Sequence, residues 1–296
     1  MNLDRKLVGL LRRMKVVPEK VRQRRSSGPG AHLSKGLGQS MDFSEYRPYQ
    51  PGDDLRALDW KVYGRTDRLY TKLYVPEQEE TVCFLLDTSY SMHEKWESMK
   101  TVVLGLANVV LGQGDRVAVL PLENPEVADL KGVAASRGRS ALSKVSRFLE
   151  DTTPSGLTPL SEAFEVAARK LKKRCHVVIL SDFLRPDAGL RGLSQLRYRR
   201  HRLSLIQLLA PSEQDPRHSM SPGEWELFDP EDDAESGIRL DIGQRSFSRY
   251  LDLLEQHNAR LRDFCRSAGA VFVTASSELE PIQFFSEDLR KAGLLA

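Results

Sequence analysis

Cysteine is scarce in this 296-residue chain, and Cys83, Cys175 and Cys265 are far apart and odd in number. Their flanks are apolar or helical, so the expectation is three buried free thiols in a reducing cytoplasm rather than a disulfide framework. Long apolar runs are absent as well. Stretches such as VVLGLANVVL at 102–111 fall far short of the ~20 residues a membrane span needs. The opening MNLDRKLVGLLRRMKVV has neither a long apolar core nor a small-residue cleavage site, so no secretory signal is expected and an extracellular adhesin is disfavoured. An excess of one charge is also missing. With 44 basic and 41 acidic residues the net charge is +3, too small for a global field that would call for nucleic acid. There is no Gly-x-Ser-x-Gly elbow, no His-Glu-x-x-His and no Gly-rich phosphate loop ending in Lys-Ser/Thr. His176 and His201 stand alone, outside any Cys/His cluster.

What is present is an ordinary globular composition, 40% apolar and 29% charged, long enough for one large core and a small appendage. Leu3, Leu7, Leu10, Leu11 and Met14 recur at helical spacing among basic residues. A polar, basic tract, EKVRQRRSSGPGAHLSKGLGQS, follows and reads as a linker. No aromatic residue interleaves it for base stacking, so a solvated helix and tail is favoured over a nucleic-acid arm. Residues 41–80 then mix Arg47, Asp53, Asp54, Arg56, Asp59, Lys61 and Arg65 with Tyr46, Tyr49, Trp60 and Tyr63. Such dense alternation predicts a structured segment held by ion pairs, with a strand at 69–76. Asp53 and Asp54, flanked by arginines, read as salt-bridged structure rather than a catalytic pair.

From residue 81 a rhythm sets in. Apolar runs at 81–87, 116–120, 176–183, 203–209 and 270–274 alternate with helical patterns at 94–112, 139–151, 158–173, 188–199 and 246–268. Continuous apolar strands between amphipathic helices predict a doubly wound, mostly parallel α/β sheet covered on both faces. Segments 225–231 and 238–242 predict a small β-hairpin insertion. In such a sheet, ligands bind at strand carboxyl ends. There the chain places Asp87, Ser89 and Ser91 in DTSYS, Thr158 in SGLTP and Asp182 in LSD. All five offer oxygen only, which suits a hard divalent cation, Mg2+ or Mn2+, and not zinc or copper. Alternate residues of an extended loop point the same way, so the Asp and both serines can face one ion in a surface crevice. The competing reading makes Ser91 and Thr158 helix caps and Asp182 a cap or turn residue.

These three motifs resemble the metal-ion-dependent adhesion site of von Willebrand factor A domains. The preceding HLSKGLGQSMDFSEYRPYQPGDDLRALDWKVYGRTDRLYTKLY resembles the signature of the domain-of-unknown-function 58 (DUF58) family. It carries Arg47, Tyr49, Gly52, Asp53, Asp54, Arg56, Asp59 and Trp60 at that family's R-x-Y-x-x-G-D-D-x-R-x-x-D-W positions. Tyr90 departs from the pattern, standing where a small residue is usual. The resemblance implies a von Willebrand factor A-like fold with Asp87, Ser89, Ser91, Thr158 and Asp182 as metal ligands. It also implies a MoxR-type AAA+ ATPase as partner in assembling or activating protein complexes.

A dehalogenase-like phosphatase would need a second acid two residues after its Asp, where this chain has Ser89, so the general acid/base is missing. The reading is therefore a non-enzymatic, cytoplasmic binding module whose Mg2+ captures an acidic side chain of a protein partner. The alternatives are a scaffold binding through its N-terminal segment with a purely structural metal, and a metal-dependent hydrolase. The expected divisions are a basic helix and linker at 1–25, the signature segment at 26–77 and the α/β domain at 78–296, with 1–75 packed on the sheet.

Overall fold

The computed structural model describes residues 4–17, 41–76, 79–126, 131–185, 189–227 and 238–296. The expected linker falls outside them. In chain order the elements are α1 (Arg5–Leu11), β1 (Met41–Pro48), α2 (Trp60–Thr66), β2 (Tyr70–Pro76), β3 (Thr81–Asp87), α3 (Trp96–Gly112), β4 (Arg116–Leu122), β5 (Val133–Ser136) and α4 (Arg139–Asp151). Then come α5 (Leu160–Lys170), β6 (His176–Ser181), α6 (Leu190–Tyr198), β7 (Arg202–Leu209), α7 (Pro211–Gln214), β8 (Gly223–Leu227), β9 (Ile238–Ile242), α8 (Gln244–Ala268) and β10 (Val271–Ser276). A helical run from Pro281 to Lys291 follows, with a π-turn at Phe284–Asp288.

The chain divides into two compact units, one of Met1–Arg22 with Glu80–Ala296 and one of Gln23–Glu79. The larger unit is built on a six-stranded sheet of order β10-β7-β6-β3-β4-β5. Every neighbouring pair is parallel except β4 with β5. The expected doubly wound, mostly parallel architecture is observed, and β8 and β9 form the expected hairpin. The edge strand β5 went unforeseen, because VAAS carries too short an apolar signal.

Two-residue periodicity divides the core. On β3, Val82, Phe84 and Leu86 face one layer while Cys83 and Leu85 face the other. β6 does the same with Val178 and Leu180 against Val177 and Ile179. The first layer is closed by α3 and by Phe284, Phe285 and Leu289 of the C-terminal run; the second contains Phe164 of α5 and Leu193 of α6. Leu7 and Leu11 of α1 are buried in the first layer, and the Lys15 and Val17 amides donate to Ala296 and Leu294. Of the two expectations for the basic N-terminal helix, a solvated helix and packing of 1–75 on the sheet, its buried Leu7 and Leu11 bear out the packing, while residues 23–79 form their own unit.

The lone histidines and cysteines have structural partners. His176 Nε2 lies 2.8 Å from Ser204 Oγ, and the Arg202 guanidinium meets its Nδ1. The Cys175 amide donates to His201 Nδ1 at 3.3 Å. All three thiols are free and buried, and burial pushes Cys175 and Cys265 up to about 12, out of the nucleophilic range.

From β3 the chain passes first to β4 on one side and later to β6 on the other. Their diverging connections make the carboxyl ends of β3 and β6 the sheet's switch point, the place where open α/β sheets bind ligands.

Candidate metal centre

The register pairs Leu86 with Leu180, so Asp87 and Ser181 are the next residues along these strands and Asp182 stands one residue beyond. Ser181 Oγ donates to Asp87 Oδ2 at 2.6 Å, and the Ser89 amide donates to Asp87 Oδ1 at 3.0 Å. Ser89 and Ser91 present their hydroxyl oxygens 3.1 Å apart. The Tyr90 amide donates to Gly156 O at 2.9 Å and the Ser155 amide to Thr88 O at 2.8 Å, which ties this loop to the one carrying Thr158. Both Thr88 Oγ1 and Thr158 Oγ1 donate to Leu122 O, at 2.9 and 3.3 Å. The Thr158 oxygen keeps its lone pairs available beyond that bond.

Thr158 is not a cap: α5 starts two residues later with Pro159 at its N-cap. Ser91 lies in a 3-10 turn, and Lys95 occupies the N-cap of α3. Asp182 does make a turn, its Oδ1 accepting from the Leu184 amide at 3.1 Å. The centre is deeper than a surface crevice. Asp87, Ser89, Thr158 and Asp182 are 2–4% exposed, Ser91 is half-buried, and Tyr90 and Leu157 are exposed. Tyr90 stacks on His93 with centroids 5.8 Å apart.

The Asp182 loop is held rigidly. Gln207, fully buried on β7, donates to Asp182 O and to Asn258 Oδ1, both at 3.0 Å, while its Oε1 accepts from Thr274 Oγ1. Phe183 sits at φ 54°, a left-handed conformation that a bulky residue adopts only where its surroundings impose it, and His257 Nε2 donates to its carbonyl. Gln207→Leu would strip partners from Asp182 O and Asn258. A loss of about 2–3 kcal/mol is expected in urea denaturation, and a change below about 0.5 kcal/mol would show that the loop holds itself.

The principal residue missed from the sequence is Lys95. Its ammonium is 1% exposed and lies 2.8 Å from Asp182 Oδ2 and 2.5 Å from Glu213 Oε1. Burial pulls Lys95 down, but Asp182 and Glu213 more than offset this and hold it above its usual range. Burial raises Glu213 above its usual range, and Lys95 offsets this only in part. Both Glu213 oxygens accept from N–H donors, Lys95 and the Ala210 amide, so the geometry holds the carboxylate form. Nothing in HEKW distinguishes this lysine from a surface one.

The donor set fits a hard divalent ion on two counts. The Lys95 ammonium serves Asp182 and Glu213, while among the described residues no cation pairs with the buried Asp87. Burial and then Asp182 push Asp87 up to about 6. In addition, the Ser89 and Ser91 hydroxyls, hydrogen-bonded to each other at 3.1 Å, already stand near the separation of about 3.0 Å between right-angle ligands ~2.1 Å from an octahedral ion. Among the described residues no group of three or more His, Cys, Asp or Glu is arranged to hold a metal. The centre would draw on two acids and three hydroxyls.

The signature residues lie in the smaller unit, where β1 and β2 pair antiparallel. Asp59 N-caps α2 through the Lys61 and Val62 amides, accepts from Tyr46 Oη at 2.7 Å and pairs with Lys72 at 3.0 Å. The Tyr46 bond and Lys72 hold it well below the usual carboxylate range. The Gln50 amide, donating to Asp53, and then Arg47, paired with it at 2.5 Å, and Thr71 hold this carboxyl low against burial. Asp54 caps the turn at Leu55–Ala57 through the Arg56 amide rather than through a guanidinium. Gly52 takes φ 102°, Tyr49 is half-buried with its amide on Leu69 O, and Trp60 is 62% exposed.

An open, mostly parallel α/β sheet with an oxygen-lined centre at its switch point and a signature-bearing antiparallel unit before it defines the class. Residues 45–259 match the family described as protein of unknown function DUF58, and the chain belongs to that family. An uncharacterized protein of Mycobacterium tuberculosis (strain ATCC 25618 / H37Rv), Rv1480, is 28% identical over 218 residues, which is 71% of this chain. The chain spans 65% of that relative's length. The uncharacterized protein YeaD of Bacillus subtilis is 35% identical over 68 residues, 23% of this chain and 17% of its own. Among solved structures, a von Willebrand factor type A protein from Catenulispora acidiphila is similar with a TM-score of 0.39 at 10% identity, over 76% of this chain and 44% of that one. The pilus adhesin SpaC from Lactobacillus rhamnosus GG, in its open conformation, gives 0.40 at 10% identity, over 49% and 25%. No helix among the described residues is long and apolar enough to cross a membrane.

Proposed function

We propose that the chain is a non-enzymatic, divalent-cation-dependent protein-binding module. Asp87, Ser89, Ser91, Thr158 and Asp182 would hold Mg2+ or Mn2+, and the ion would take an acidic side chain of the partner. The observation that carries this reading is charge at the sheet's switch point: Lys95 pairs with Asp182 and Glu213, and among the described residues no cation pairs with the buried Asp87. The ion would supply an electrophilic position, and the chain's own residues would fix it. Ser181 and the Ser89 amide orient Asp87, Leu122 O orients Thr158, and Gln207 holds the Asp182 backbone. Exposed Tyr90 and Leu157 would frame the approach. The family resemblance adds a MoxR-type AAA+ ATPase in the cytoplasm as the proposed partner.

Binding of a glutamate-rich peptide to the immobilised full chain tests the reading. Binding in Mg2+ or Mn2+ that EDTA abolishes is expected. Binding unchanged by EDTA would favour the scaffold alternative, in which the exposed Trp60 and Tyr63 of the signature segment make the contacts.

A further inference from the structure

Lys95 runs against two physical preferences at once. An ammonium is costly to bury, and at the N-cap of a 17-residue helix it meets the positive end of the helix dipole. Its compensation is the pair of carboxylates that take its Nζ, Asp182 Oδ2 at 2.8 Å and Glu213 Oε1 at 2.5 Å. One of these belongs to the candidate metal set and the other does not. We propose that Lys95 is a built-in competitor for the divalent cation: it occupies Asp182 when the ion is away and sets how weakly the ion is retained. This rests on the reading of the Asp87 centre as a cation site.

Glu213 is what makes the exchange feasible. Its Oε2 is anchored by the Ala210 amide at 2.7 Å, and its backbone carbonyl accepts from Tyr250 Oη at 2.5 Å, which fixes the short α7 helix against α8. An ammonium that yields Asp182 to an arriving ion therefore keeps a charged partner within the same pocket. Glu213 acts as a positioning residue, drawing Lys95 away from Asp182, and the two residues should shift metal affinity in opposite directions.

Calorimetric titration of Mg2+ and Mn2+ into EDTA-stripped full chain, with thermal melts alongside, tests this in wild type, Lys95→Met and Glu213→Gln. Lys95→Met should bind about tenfold or more tightly, since a unit charge a few ångströms away is removed. Its metal-free melting temperature should fall and its rise on adding metal should exceed that of wild type. Glu213→Gln should bind more weakly than wild type, because Lys95 then has Asp182 alone. Equal or weaker binding by Lys95→Met, with wild type binding, overturns the competitor role and leaves the cation site standing. Should Lys95→Met fail to fold, unchanged or tighter binding by Glu213→Gln overturns it equally. No binding by any variant, Lys95→Met included, overturns the cation-site reading itself.

Discussion

Asp87→Asn is expected to stabilise the metal-free chain at pH 7 and to abolish its response to divalent cations. Burial first, and Asp182 second, push this carboxyl from 3.8 up to about 6. Holding it ionised at pH 7 in the folded state therefore costs about 3 kcal/mol. Asparagine keeps an acceptor oxygen for the Ser89 amide or the Ser181 hydroxyl and removes the charge. Its NH2 must be accommodated beside those donors, which reduces the expected gain to about 1–2 kcal/mol. The pH dependence follows from the direction of the shift. A folded-state pKa above the unfolded one means that the folded chain binds the extra proton between about pH 4 and 6. The associated stability is complete below about pH 4 and is lost as the pH rises through 6. In EDTA, the stability of wild type relative to Asp87→Asn should fall across that window. Urea denaturation of both proteins from pH 4 to 7 reads this directly. A variant less stable than wild type at pH 7 without metal would mean that Asp87 is compensated by something other than a metal ion.

The second large effect lies away from the centre. Phe285 is fully buried, and its ring fills the space that a Cβ on Gly105 of α3 would enter. Phe285→Ala is expected to cost about 3–5 kcal/mol, the usual penalty for emptying such a site. Gly105→Ala would ordinarily favour a helix interior by about 1 kcal/mol. Here the added methyl collides with the ring, and overpacking of about 1–3 kcal/mol reverses the sign. Combined with Phe285→Leu, Gly105→Ala should cost clearly less than the sum of the two single changes, because the smaller side chain yields the space. Strict additivity in denaturant melts would mean that helix and C-terminal run are not in contact in solution.

The sheet was legible because its central strands β3, β6 and β7 are buried on both faces, so TVCFLLD and HVVILS read as apolar runs wherever they sit. For the same reason Asp87 and Asp182 stood out as acids at strand ends. β5 was hidden: VAAS is an edge strand of four residues, half-buried at its two ends and exposed between them, with no run to detect. The solvated reading of the N-terminal helix followed its conspicuous basic residues; its packing rests on Leu7 and Leu11, buried in one cluster with the C-terminal run nearly a whole chain away. Ser181 and Gln207 read as ordinary strand residues, since their roles depend on which strands become neighbours. Lys95 and Glu213 are 118 residues apart and carry no motif. Only the folded loops show that one ammonium is shared between a candidate ligand and a distant glutamate, and only burial shows that the centre is short of positive charge.

The central claim, that the Asp87 centre is a cation site, is tested most directly by counting ions. Metal-stripped full chain and Asp87→Asn are each dialysed against Mn2+ near neutral pH, and bound metal is measured by elemental analysis. One ion per wild-type chain and none on the variant is the predicted result. An equal metal content in both proteins, or none in either, would contradict it.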